Sequence, residues 1–153
     1  MATRIKPTKK NLYDEDFYVW AKNQAELLRD RRFDELDLAK LIEEVGDLGW
    51  ALERSVRSRA RIILEHLLKM QCSPAQDPRL GWRATVRIQR SELPNDLTPS
   101  LRRHLADNLP ELYARARHDA EGSLRDYGEQ GAADALPTTC PYTLDQITGD
   151  WLP

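Results

Sequence analysis

The chain has 153 residues, 23 Lys and Arg against 25 Asp and Glu, and a formal net charge of −2. That is the size of one ordinary domain, able to bury roughly 70% of the surface its unfolded form exposes. No run reaches the ~18 apolar residues of a membrane span, which excludes a transmembrane reading.

The N-terminus, MATRIKPTKKNLYDEDF, is basic but has no apolar h-region, so it does not read as a secretory signal, and residues 1–13 are expected to form a loose basic arm. Asp14 can cap a helix running to about Arg32, with Phe17, Trp20, Ala21, Leu27 and Leu28 toward a core. Asp34 or Asp37 then starts a second helix. From Leu38 to about Gln71 the apolar residues Leu38, Leu41, Val45, Leu48, Leu52, Val56, Ile63 and Met70 recur at steps of three and four or their sums. This predicts one helix of about 34 residues, about 50 Å long if unbroken.

Pro74 and Pro78 end that helix, and a further one is expected over roughly Arg79 to Glu92, stopping before Pro94. In LTPS, Thr98 has the form of an N-cap and Pro99 of a first helical residue. Pro110 should kink or restart the helix that continues to about Asp126, and Gly128 and Gly131 should break it. The tail CPYTLDQITGDWLP carries a capping box, Thr143 with Gln146, ahead of a short last helix. No segment alternates with a period of two, so the reading is all-α: a helical bundle around one long central helix, closed by a short C-terminal one, in a single domain over residues 1–153.

These elements carry a resemblance. YDEDFYVWAKNQAELL, LDLAKLIEEVGDLG, ILEHLLKMQ, WRATVRIQR and CPYTLDQI stand in the order and spacing of the bacterial domain-of-unknown-function family twenty-nine, which the chain resembles from about Tyr13 to Trp151. The resemblance implies a small all-helical bacterial protein and assigns no activity and no catalytic residue.

Charge is segregated along the chain. Residues 1–13 hold four basic and no acidic residues, 14–53 five against twelve, 54–103 eleven against four, and 104–153 three against nine. Acidic and basic helices pairing within the fold explain this, and so does a basic face over residues 54–103 for a phosphate-bearing or nucleic-acid partner. Against nucleic acid stands the absence of an overall positive excess, since the sequence pI is about 5.9.

Within LIEEVGDLGW, residues 41 to 50, EEVGDL is similar to the second carboxylate motif of MazG-type nucleotide pyrophosphohydrolases. Glu44 and Asp47, at i and i+3, could share a magnesium ion through oxygen ligands. The companion E-E-x-x-E motif is missing from residues 14–40, so no metal site is expected. With Leu41 at 0° and ~100° per residue, Val45, Leu48 and Leu52 fall within about 40°, Glu44 near −60° and Asp47 near −120°. Glu44 should therefore make an interhelical ion pair at the core edge, while Glu43 and Asp47 are solvated. Gly46 and Gly49, each a cost of ~1 kcal/mol in a helix, suggest close approach of a neighbouring helix.

His66 lies inside the apolar stripe and should be a buried histidine bonded to a neighbour, with a ligand or general base as the alternative. On a straight helix it stands ~33 Å from Glu44, too far to meet it. Arg83, Arg87 and Arg90 align at i, i+4 and i+7, where they can clamp an anion or pair with the acidic helices. Cys72 and Cys140 fit no C-x-x-C spacing and should be reduced thiols in the cytoplasm; the three histidines form no ligand pair, and no cofactor is expected. The function these features favour is a small cytosolic interaction or regulatory module, with another protein or a second copy as partner. The alternatives are a metal-dependent nucleotide or phosphoester hydrolase using Glu44 and Asp47, with Arg83 and Arg87 holding phosphate, and a nucleic-acid-associated protein using residues 54–103.

Overall fold

A computed structural model describes residues 9–93 and 97–153, and among them the chain is all-α with no strand. The helices are α1 (Lys9–Glu15), α2 (Phe17–Arg29), α3 (Leu38–Cys72), α4 (Arg79–Glu92), α5 (Pro99–Asp126), α6 (Gln130–Asp134) and α7 (Leu144–Thr148), with a 3₁₀ turn over Phe33–Glu35. The chain divides into two compact units, Met1–Gly49 and Trp50–Pro153, and the boundary falls inside α3.

In the first unit the N-terminal segment departs from the expectation of a loose arm. Residues 9–13 are helical; residues 1–8 of that arm lie outside the described residues. The break comes at Asp16, not Asp14, because Asp16 leaves helical geometry and its carboxylate accepts from the Val19 backbone N–H at 3.0 Å. That is an N-cap, and it starts α2 two residues later than expected. Trp20, Gln24 and Leu27, one helical turn or so apart, are buried, whereas Phe17 and Leu28 are about half exposed. Gln24 then ties the unit together: its Oε1 accepts from the Asp37 backbone N–H at 2.8 Å, fixing the entry to α3.

α3 runs unbroken for 35 residues, one more than its periodicity predicts. The stripe that generates it has two fates. In the second unit Val56, Ala60, Ile63, Leu64, Leu67, Leu68 and Met70 are at most 2% exposed and join one core with Val86, Leu101, Leu105, Leu112, Ala116, Ala120, Leu124 and Ile147. In the first unit Leu38, Val45 and Leu48 of the same stripe are exposed, contrary to the expectation that they face a core.

The rest of the second unit follows its punctuation. Thr98 caps α5 by accepting from Leu101 N, and Pro99 stands at its first turn, as the LTPS pattern requires. α5 continues past Pro110 to Asp126, so that proline does not restart it. Gly128, at φ +79°, closes α5 with its N–H on the Arg125 carbonyl at 2.9 Å. Gly131, expected to break structure as well, sits inside α6. The capping box is formed in both directions between Thr143 and Gln146, and Ile147 of α7 is fully buried.

Candidate functional site

Two places hold the residues that sequence singled out, one in each unit. In the first unit Tyr13, Phe17 and Trp20 form an aromatic cluster with ring centroids 4.9 to 5.6 Å apart. The Tyr13 hydroxyl donates to Glu44 Oε1, and Lys40 Nζ lies 4.7 Å from the Tyr13 ring centre while donating to Glu43 at 2.7 Å. The interhelical ion pair expected of Glu44 at a core edge is not what the structure shows: Glu44 accepts from a phenol of its own unit, beside a stretch of the stripe that is exposed. The carboxylate raises the Tyr13 pKa, first through the hydrogen bond and then through partial burial and its charge.

Beside that cluster α3 presents a bare apolar face. Leu38, Ile42, Val45 and Leu48 are 62, 66, 66 and 72% exposed. At ~100° per residue they span an arc of about 120°, the width of a stripe that ordinarily faces a core. Gly46 and Gly49 lie along it, and an added Cβ at either would meet nothing within 4 Å among the described residues, which do not supply the neighbouring helix that the glycines suggested. Glu44 stands at the border of this face, and Glu43 and Asp47 lie farther round the helix, with Lys40 the one basic residue between Leu38 and Gly49.

The carboxylates do not converge. Asp47 is exposed on the other side of Glu44 from the stripe, and among the described residues no group of three or more His, Cys, Asp or Glu side chains is placed to hold a metal ion. Glu44 is held by Tyr13.

In the second unit Arg83, Arg87 and Arg90 do line one groove, with Thr148 and Asp150. Arg90 is committed to structure: its Nε donates to the Ile147 carbonyl at 3.1 Å, and its Nη2 to the carbonyls of Gln146 at 2.7 Å and Trp151 at 2.8 Å. Burial lowers its pKa, with the Asp150 charge opposing. Neither reading of the arginine row anticipated a guanidinium clamping backbone carbonyls. The signal was present in the unusual density of apolar and capping residues in the tail, which needed something to bind.

His66 is half-buried and Nδ1 donates to the Ile62 carbonyl at 2.9 Å, one turn back on its own helix. Burial lowers its pKa most, Lys69 adds to that, and the Ile62 hydrogen bond and Glu65 oppose it. No described acid meets it in an ion pair, and α3 carries no break that would bring it to Glu44. The two cysteines are free and half-buried, and burial raises both thiol pKa values.

Much of the basic segment is consumed inside the second unit. Arg59 pairs with Glu92, Arg102 with Asp145, Arg57 with Glu111 at 3.3 Å and Arg61 with Asp119 at 3.5 Å. Arg79 donates to the Ser73 and Ala75 carbonyls. The pairing of oppositely charged helices thus accounts for part of the charge segregation.

A family model described as "Domain of unknown function DUF29" matches residues 12–152 of the chain. No curated protein matches it, and no solved structure does. Among the described residues no helix is long and apolar enough to cross a membrane.

Proposed function

The chain belongs to the DUF29 family, whose description names no activity, and we propose that it works as a protein-interaction module whose first unit docks a basic amphipathic helix of another protein. The observation that carries this reading is the bare face of α3, where Leu38, Ile42, Val45 and Leu48 stand side by side at 62 to 72% exposure. Single exposed apolar residues are ordinary, whereas a contiguous row on one helix face marks a contact surface. An amphipathic helix laid along such a row engages it through its own i, i+3, i+4 and i+7 positions.

Charge selects the occupant. Glu44 borders the face, Glu43 and Asp47 lie farther round the same helix, and Lys40 is already turned to Glu43, so this acidic stretch of α3 attracts a cationic segment. An isologous pairing of two copies through this face would bring two acidic stretches of α3 together, which disfavours a homodimer. The alternative of a hydrolase built on Glu44 and Asp47 would need a donor set that the described residues do not assemble around them.

Calorimetry on the full chain tests the proposal with a helical peptide of about 14 residues carrying Leu at i, i+3, i+4 and i+7 and Lys elsewhere. Saturable binding is expected, at least about tenfold weaker for a twin with Glu in place of Lys. Ile42→Asp and Val45→Asp should abolish it with the helical circular dichroism unchanged. Equal binding of both peptides, or of neither, overturns the reading. So does a dimer in sedimentation equilibrium that Val45→Asp converts to monomer, because the face is then covered by a second copy.

A further inference from the structure

The second unit holds a groove of about 410 Å³ whose α3 side falls in the basic segment 54–103. Arg54, Arg57, Ser58 and Arg61 of α3 and Glu111 and Arg115 of α5 line it. Four guanidiniums face one carboxylate, a net charge of +3 in a space the size of a small-molecule site, which ordinarily runs from roughly 300 to 1,000 Å³. Glu111 is shared: the same Oε1 accepts from Arg57 at 3.3 Å and from Arg115 at 2.9 Å. Arg61 leans out toward Asp119 at 3.5 Å. Arg54 and the Ser58 hydroxyl have no partner among the described residues.

This arrangement has a cost that the pairs to Glu111 and Asp119 offset only in part. Arg54, Arg57 and Arg61 lie three and four residues apart on one flank of α3, where like charges oppose helix formation. Their ion pairs are partly exposed, and such pairs contribute little to stability. An anion in the groove would remove the repulsion, and planar guanidinium forks converging from two helices suit the tetrahedral oxygens of phosphate, with a free hydroxyl to add a further donor.

We propose that this groove is an anion site for a phosphate group, borne by a small phosphomonoester or by free phosphate. Arg54 and Arg115 form its two sides, one from each helix, and Arg57 is released toward the ligand when Glu111 remains with Arg115. The site is separate from the bare face of the first unit and does not depend on it.

Calorimetry at low salt decides the matter, with inorganic phosphate, AMP and, as the phosphate-free control, adenosine. Binding of one equivalent is expected, weakening as salt rises because the groove is open to screening. Arg54→Gln with Arg115→Gln should weaken it at least about tenfold, and Arg83→Gln with Arg87→Gln, on another groove, should leave it unchanged. Arg54→Gln alone removes no contact of the fold and serves if the double variant does not fold. Tighter binding of AMP assigns the ester and equal binding assigns phosphate alone; either supports the site. No saturable binding of phosphate or AMP, equal binding of adenosine, or equal loss in the Arg83 and Arg87 variant overturns it.

Discussion

Tyr13 donates its hydroxyl to Glu44 across 31 positions of sequence, joining α1 to α3 within the first unit. The bond gives the segment before α2 a fixed place to go, with the Tyr13 ring anchored on Glu44 and set edge-to-face against Phe17 and Trp20. Because the carboxylate favours the protonated phenol, the Tyr13 pKa stands above its ordinary value in the folded chain. A raised value contributes stability below the unfolded pKa and loses it as pH rises through the folded one. Burial raises the Tyr113 and Tyr142 pKa values as well, so spectrophotometric titration should show a late-ionising component that shrinks by one tyrosine in Tyr13→Phe. In Glu44→Gln the Tyr13 phenol should titrate earlier, and the parent should lose more stability than Tyr13→Phe as pH rises above the ordinary tyrosine value of about 10.

Val45 and Ile63 test the divided stripe of α3. They are 18 residues apart on the same helix, within about one residue's angular step of each other, yet Val45 is 66% exposed and Ile63 fully buried. Ile63→Ala removes packed methyl groups and leaves a cavity, so a loss of about 2–5 kcal/mol is expected. Val45→Ala should stay within about 0.5 kcal/mol, as surface changes do. Urea unfolding of both variants checks the contrast, and comparable losses would mean that Val45 is covered in solution.

The same stripe shows how far the sequence could be read. Periodicity follows from the helix itself, so α3, α4, α5 and the capping box of α7 were legible within one or two residues. What a stripe meets is decided by other segments, and Leu38 to Leu48 carry the same pattern as Val56 to Met70 whether or not anything covers them. The carboxylate at Glu44 was legible as a border residue, but its partner was not, because a tyrosine in a basic arm carries no periodic mark. The groove residues Arg54, Arg57 and Arg61 share one helix flank and could have been grouped by their spacing. Arg115 could not, since only the packing of α5 against α3 brings it there.

Arg90 holds the C-terminal segment through three backbone carbonyls, while its sequence neighbours on that face, Arg83 and Arg87, are exposed. A lysine cannot reproduce three forked contacts from one planar head. Arg90→Lys should therefore cost about 1–2 kcal/mol and Arg90→Ala somewhat more, because the carbonyls of the half-buried Gln146 and buried Ile147 lose a charged donor. Arg83→Ala and Arg87→Ala should change stability by less than about 0.5 kcal/mol. Carboxypeptidase digestion supplies a local readout: release of Leu152 and Trp151 should accelerate in the Arg90 variants and not in the other two.

His66 provides the pH test, and the sign follows from its surroundings. Burial and the charge of Lys69 lower its pKa, while Glu65 and the Ile62 carbonyl only partly oppose them, so the folded chain favours the neutral ring. Lys69 is itself tied to Glu65 at 2.7 Å, which holds its ammonium near the site. Above the ordinary histidine value of about 6.5 the ring is neutral in both folded and unfolded chains, and stability does not depend on it. As pH falls below that value the unfolded chain binds a proton that the folded chain resists, so stability declines until the folded pKa is passed. Between pH 7.5 and about 5 the parent should lose more stability than His66→Gln, whose amide can still donate to the Ile62 carbonyl but does not titrate. Carboxylates titrating in the same range act on both proteins alike, so the difference between their urea midpoints isolates the ring. A parent that instead gains stability over His66→Gln on acidification would show that His66 is charged in the fold and faces an acid not paired with it here.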